Sequence, residues 1–161
     1  MATPGWRELL GGGHGGRAIA MAAGVKLHAV NIFVATTIMP SVVAEIGDLA
    51  YYAWNATLFI VGSIVGSALA SELLARHGAR GAYRIAALAF AAGSLAAALA
   101  PTMPVLLAAR ALQGLGGGML FALSYALIRL VLPQELWPRA IALVSGTWGV
   151  AALSGPFVGG I

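Results

Sequence analysis

Arg110 stands inside a mostly apolar stretch, 105–130, and is the residue of this sequence whose chemistry is most constrained by its surroundings. A guanidinium has five N–H donors and does not deprotonate in proteins, so in an apolar solvent it must find acceptors. Gln113, Gly114 and Gly117 follow at i+3, i+4 and i+7, which places them on its face of a helix. The amide offers an acceptor, and glycines let a second backbone bring its carbonyls close. This pattern suits a buried cation that binds or couples; the other placement is a side chain that snorkels to the interface. Asn31, in the apolar stretch 20–43, is one candidate partner. The backbone near Pro40 is another, because a proline leaves a carbonyl one turn earlier without its usual donor. His28, one turn before Asn31, has the chemistry of a proton carrier, while its plainer reading is a hydrogen-bonded residue at a helix start.

Other patterns carry less. Gly11, Gly13 and Gly16 spell GxGxxG, but no strand precedes them, so a dinucleotide site is not expected. Asn55-Ala56-Thr57 matches a glycosylation sequon at a helix start and receives no weight. Ser154 with a histidine would be the pair for an intramembrane hydrolase. The histidines near the helices lie at the opposite end of their spans from Ser154, so the pair does not meet and no enzyme is expected. With no cysteine there are no disulfides or thiolate metal sites, and no cofactor is called for.

The elements that must hold Arg110 follow from composition. Of 161 residues, 60% are hydrophobic and 9% charged, with a mean hydropathy of +0.91. A soluble domain carries about 25% charged residues, so lipid must be the solvent for most of this chain. The net charge of +4 comes from scattered basic residues without interleaved aromatics, which argues against nucleic acid as a partner. A spanning helix needs about 20 mostly apolar residues. Five stretches qualify: 20–43, 54–74, 81–100, 105–130 and 140–161. The fold class is therefore all-α integral membrane, with a flexible tail over 1–17 that lacks the apolar core of a signal peptide.

Basic residues set the orientation. Arg7 and Arg17 precede the first span and Lys26 lies in its first turns. Arg76, Arg80 and Arg84 surround the second loop, and Arg129 and Arg139 flank the fourth. The segments 44–53 and 101–104 have no Lys or Arg, and the first carries Glu45 and Asp48. The basic side is expected to be cytoplasmic, with the N-terminus inside. Tyr51, Tyr52, Trp54 and Trp137 are placed to anchor span ends at the interfaces. Gly62, Gly66 and Ala70 form a small-residue face in the second span. Gly155, Pro156, Gly159 and Gly160 make the end of the fifth a close-packing, bend-prone segment.

Three segments carry a specific likeness. Arg110-Ala111-Leu112-Gln113-Gly114-Leu115-Gly116 resembles the RxxQGxG motif in the fourth helix of the major facilitator superfamily. Gly155-Pro156-Phe157-Val158-Gly159-Gly160 resembles its GPxxGG antiporter motif in the fifth. The segment from Asn31 to Pro40 is similar to the first-helix signature of the drug:proton antiporter branch with 14 helices. The loop between the second and third spans keeps Leu73, Arg76, Gly78 and Arg80 of the family pattern GxLaDRxGRR. Ala75 stands where the aspartate belongs and Ala79 where an arginine does, with Glu72 one turn earlier. Asn31 replaces the branch's aspartate and cannot titrate.

The resemblance implies a secondary transporter of the bacterial inner membrane that exports small organic solutes or drugs, with a proton as the coupling ion. It implies that 18–161 form the first five helices of a six-helix half, a truncated part of a chain whose two halves rock about a central site. Arg110, Gln113, Gly114 and Asn31 would then lie on the coupling or translocation path. The alternative is a small membrane protein that binds or scaffolds a partner without transport. Membrane lipid and a small-molecule substrate are the partners expected on the first reading.

Overall fold

The computed structural model describes residues 5–11, 13–46 and 49–159, and these fold into helices joined by short turns. Helix α1 (Trp6–Gly11) is short; α2 (Gly15–Ile46), α3 (Tyr52–Ala98), α4 (Met103–Val131) and α5 (Trp137–Gly159) are long. By length and apolarity, α2 up to Glu45, α3 and α4 can each cross a membrane.

At 47 residues, α3 would be about 70 Å long if straight, more than twice the hydrocarbon thickness of a bilayer. It is not straight. Gly78 has φ 64° and ψ 176°, which breaks the helical path and turns the chain back. That backbone region is essentially closed to residues with a Cβ. The two limbs on either side of Gly78 are the second and third spans expected from the sequence. α5 has 23 residues, about 35 Å of helix, enough for the fifth.

Contacts set the directions. Asn55 and Phe59 on the first limb of α3 stand near the start of α4, and Ser67 Oγ donates to the Gly118 carbonyl at 3.1 Å, so limb and helix run parallel. Phe90 and Gly93 on the second limb meet Gly116 and Gln113, so that limb runs antiparallel. Met39 near the end of α2 packs with Met103, Leu106 and Leu107, while Arg17 at its start reaches the Val131 carbonyl at 3.4 Å. α2 and α4 are therefore antiparallel. α5 runs with α2, burying Ala140 and Val144 beside Met21, Ala22 and Val25.

Small residues make these contacts close. At Gly62 and Gly66 a Cβ would strike the carbonyls of Ala111 and Leu115 on α4, so the small face on the first limb is a helix interface. The outside is apolar: Leu88, Leu99 and Leu153 are 70%, 72% and 74% exposed. Exposed leucines spread over this surface are what a lipid solvent permits.

Several boundaries differ from the sequence expectation. Within the expected tail, α1 buries Leu9 completely against the cluster of Met21, Val25 and Leu136. α2 starts at Gly15 rather than near residue 20, because glycine and alanine do not interrupt a helix whose apolar face continues. Lys26 is consequently about three turns into α2, on its exposed side, where a long side chain can snorkel. Asp48 and Gly160 lie outside the described residues.

Candidate functional site

The guanidinium of Arg110 sits where α2, α4 and both limbs of α3 converge, and the residue is 5% exposed. Its Nη1 donates to Asn31 Oδ1 on α2 at 2.6 Å and also to Gln113 Oε1 on its own helix. Gln113 Nε2 donates to Ser94 Oγ at 2.8 Å, and the Ser94 hydroxyl donates to the Phe90 carbonyl at 2.8 Å. Every donor in this chain points away from the guanidinium. The amide and hydroxyl dipoles thereby turn their negative ends toward the cation, and the series ends on a backbone oxygen.

Phe59 supplies the other contact. The Arg110 Cζ lies 4.4 Å from its ring centroid, a cation–π distance. Gly114 allows this, because a Cβ there would collide with the Phe59 carbonyl and push the first limb of α3 off α4. The glycine therefore acts by bringing an aromatic ring near the charge. Sequence reasoning allowed both carbonyls and polar side chains; the acceptors are the side chains of Asn31, which it named, and Gln113, and Nε has no partner. Pro40 lies inside α2, and among the described residues no backbone near it accepts from Arg110.

His28 is 6% exposed and has no hydrogen bond at Nδ1. Its ring stacks on Phe59 at 5.3 Å and meets Phe121 at 5.7 Å and Trp148 on α5 at 6.4 Å. Because α2 begins at Gly15, His28 is well inside the helix, not at its start. Gly117 faces it: a Cβ there would come within 2.7 Å of Nδ1.

Beside Arg110 lies an open cavity of about 620 Å³ whose polar lining is Asn31, Glu45, Asn55, Ser94, Arg110 and Gln113. It extends toward Pro101 and Glu45, the end of the helices that carries the Arg-free loops. That volume is within the range of about 300–1,000 Å³ typical of small-molecule sites. The remaining lining is apolar, from α2, the second limb of α3, the turn after it and α4.

The other sequence-selected residues are elsewhere. Leu73 is half-buried against the α3–α4 cluster, Gly78 makes the turn, and Arg76 donates to Glu72 at 2.6 Å in an exposed pair. Gly155, Pro156 and Gly159 fall in the last turns of α5, and Gly160 is not described. Ser94, Asn55 and the ring of Phe59 were missed by sequence reasoning. Ser94 had a signal, since it is the polar residue in the second half of its span. Phe59 had none, because an aromatic in an apolar span carries no mark of its neighbours.

Among the described residues no cluster of three or more His, Cys, Asp or Glu is arranged to hold a metal ion. The family model for the Major Facilitator Superfamily matches residues 21–161. The chain belongs to the major facilitator superfamily. It is 46% identical over 159 residues to a protein of Mycobacterium tuberculosis named "Probable multidrug-efflux transporter", with 99% of this chain and 34% of that protein covered. It is 30% identical to an Acurin A biosynthesis cluster MFS-type transporter of Aspergillus aculeatus, covering 88% of this chain and 26% of that one. With Multidrug resistance protein 3 of Bacillus subtilis the identity is 25%, over 89% of this chain and 28% of the relative. The chain thus spans about a third of the length of the curated relatives that it matches at 46% identity.

Proposed function

We propose that this chain forms the N-terminal helices of a secondary transporter that exports small organic solutes or drugs. The reading places it in the bacterial inner membrane with the N-terminus cytoplasmic. In it, Arg110, Asn31, Gln113 and Gly114 form part of the translocation path. The single observation that carries it is a permanently charged, buried guanidinium at the wall of a cavity large enough for a drug-sized solute. Arg110 lies about two turns inside α4, and ionisable residues buried within spanning helices are costly and mark substrate or ion pathways. The likeness to a protein named as a multidrug-efflux transporter supports the substrate class.

Gly155, Pro156, Gly159 and Gly160 serve in this reading as the bending segment of the fifth span. Leu73, Arg76, Gly78 and Arg80 form the inner turn that sets the spacing of the second and third. Asn31 accepts a hydrogen bond where a carboxylate would titrate, so this position does not carry a coupling proton. The reading treats the chain as not an enzyme. The test is efflux by the protein expressed from its complete reading frame in proteoliposomes. Saturable, gradient-driven export of an organic cation or neutral drug is the expected result.

A further inference from the structure

A second cavity, about 470 Å³, lies at the opposite, basic end of the helices and plays no part in the path above. Its polar rim is Arg17 from the start of α2 and Arg80 and Arg84 from the first turns after the Gly78 break. Its floor is apolar, with Met21, Leu127 and Val131 among the lining. We infer that this cleft binds one anionic phospholipid, its phosphate held by the three guanidiniums and its acyl chain laid on the floor.

Charge argues for an anion. Three cations share one cleft whose lining, among the described residues, contains no acidic residue. The salt bridge recorded among the described residues joins Arg76 to Glu72, both outside that lining, and leaves these three arginines uncompensated. Guanidiniums pair with phosphate through parallel N–H donors, which suits a phosphodiester better than a point contact.

The walls are fixed. The Tyr83 hydroxyl donates to the Ala20 carbonyl at 2.5 Å, tying the second limb of α3 to α2 across the cleft. Arg17 Nη1 donates to the Val131 carbonyl at 3.4 Å, tying α2 to the end of α4 and leaving its other donors free. The height is right as well, since these are the ends of spanning helices, level with lipid headgroups. Basic clefts between spanning helices recognise anionic headgroups for the same electrostatic reason.

Charge complementarity also selects lipid over other occupants. A covering helix or a second copy would need carboxylates facing three arginines. Free phosphate would satisfy the rim and leave the apolar floor wet. A phospholipid brings the anion and the hydrocarbon in one molecule.

The experiment uses the protein expressed from its complete reading frame, purified in mild detergent and examined by native mass spectrometry. The probes are phosphatidylglycerol, phosphatidylcholine and inorganic phosphate. The unmodified protein should retain one phosphatidylglycerol in preference to phosphatidylcholine, and millimolar phosphate should not displace it. Arg17→Gln/Arg80→Gln/Arg84→Gln should lose about a hundredfold in apparent affinity, from the effect of removing three near-surface charges. Arg76→Gln, outside the cleft, should not change it. Ala20→Trp keeps all three charges and fills the cleft, so it should also lose the lipid and decides the matter if the triple variant misfolds. Equal retention of phosphatidylcholine, displacement by phosphate, or full affinity in Ala20→Trp would each overturn the assignment.

Discussion

Arg110 on α4 and Asn31 on α2 are joined by a 2.6 Å hydrogen bond that spans 79 positions of sequence. It ties together the two antiparallel helices on which the other spans pack. Hydrogen bonds to a charged group contribute about 1.5–3 kcal/mol, and more is lost when a buried cation keeps its place without the acceptor. Asn31→Leu should therefore lower the thermal unfolding midpoint in detergent, and Asn31→Gln should recover part of the loss. An unchanged midpoint in Asn31→Leu would mean that Gln113 alone satisfies the cation.

Gly114→Val tests the close approach of the first limb of α3. Its side chain would meet the Phe59 carbonyl and carry the Phe59 ring away from the guanidinium. Overpacking of this kind costs about 1–3 kcal/mol. The variant should insert but unfold at lower temperature than the unmodified protein, and Leu112→Val, exposed on the same helix, should not.

Gly78→Ala isolates backbone strain, because a Cβ there meets nothing within 4 Å. With φ at 64° and ψ at 176° the cost should be about 1–3 kcal/mol. Asparagine tolerates the left-handed helical region but not this ψ, so Gly78→Asn should fall with Gly78→Ala. Recovery by asparagine would show that the turn relaxes to a different backbone shape.

Orientation is checked by reporter fusions. Fusions after Asp48 and Pro101 should behave as periplasmic and a fusion after Gly78 as cytoplasmic, following the arginine asymmetry. Reversed signals would exchange the two ends, moving the cavity mouth to the inside and the arginine cleft to the outer leaflet.

The helices were legible in the sequence because span length is a composition property. The turn at Gly78 was legible as a loop between apolar stretches. The early start of α2 was not, since Gly15-Gly16 resembles a tail until the buried face of Ala18, Met21 and Val25 is known. At the site, Arg110, Gln113 and Asn31 could be selected from the cost of polar groups in lipid. The parts contributed by α3 could not. Phe59 and Ser94 belong to limbs whose rotation about α4 is fixed by Gly62, Gly66 and Gly93, and glycine spacing gives a face without naming what it meets. The basic cleft was hidden for a similar reason. Arg17 and Arg84 are far apart in sequence and join only when α2 and the second limb of α3 fold onto α4.

The most direct test of the central claim is transport by Arg110→Lys beside Arg110→Ala, in the protein expressed from its complete reading frame and reconstituted in proteoliposomes. Lysine keeps the charge but loses the planar donor fork that serves Asn31 and Gln113 from one nitrogen and lies over Phe59. Both variants should insert normally and lose export almost completely, while Arg129→Lys and Arg139→Lys, at the basic end, should retain it. Normal export by Arg110→Ala would contradict the account, leaving Arg110 a buried structural cation with no place on the path.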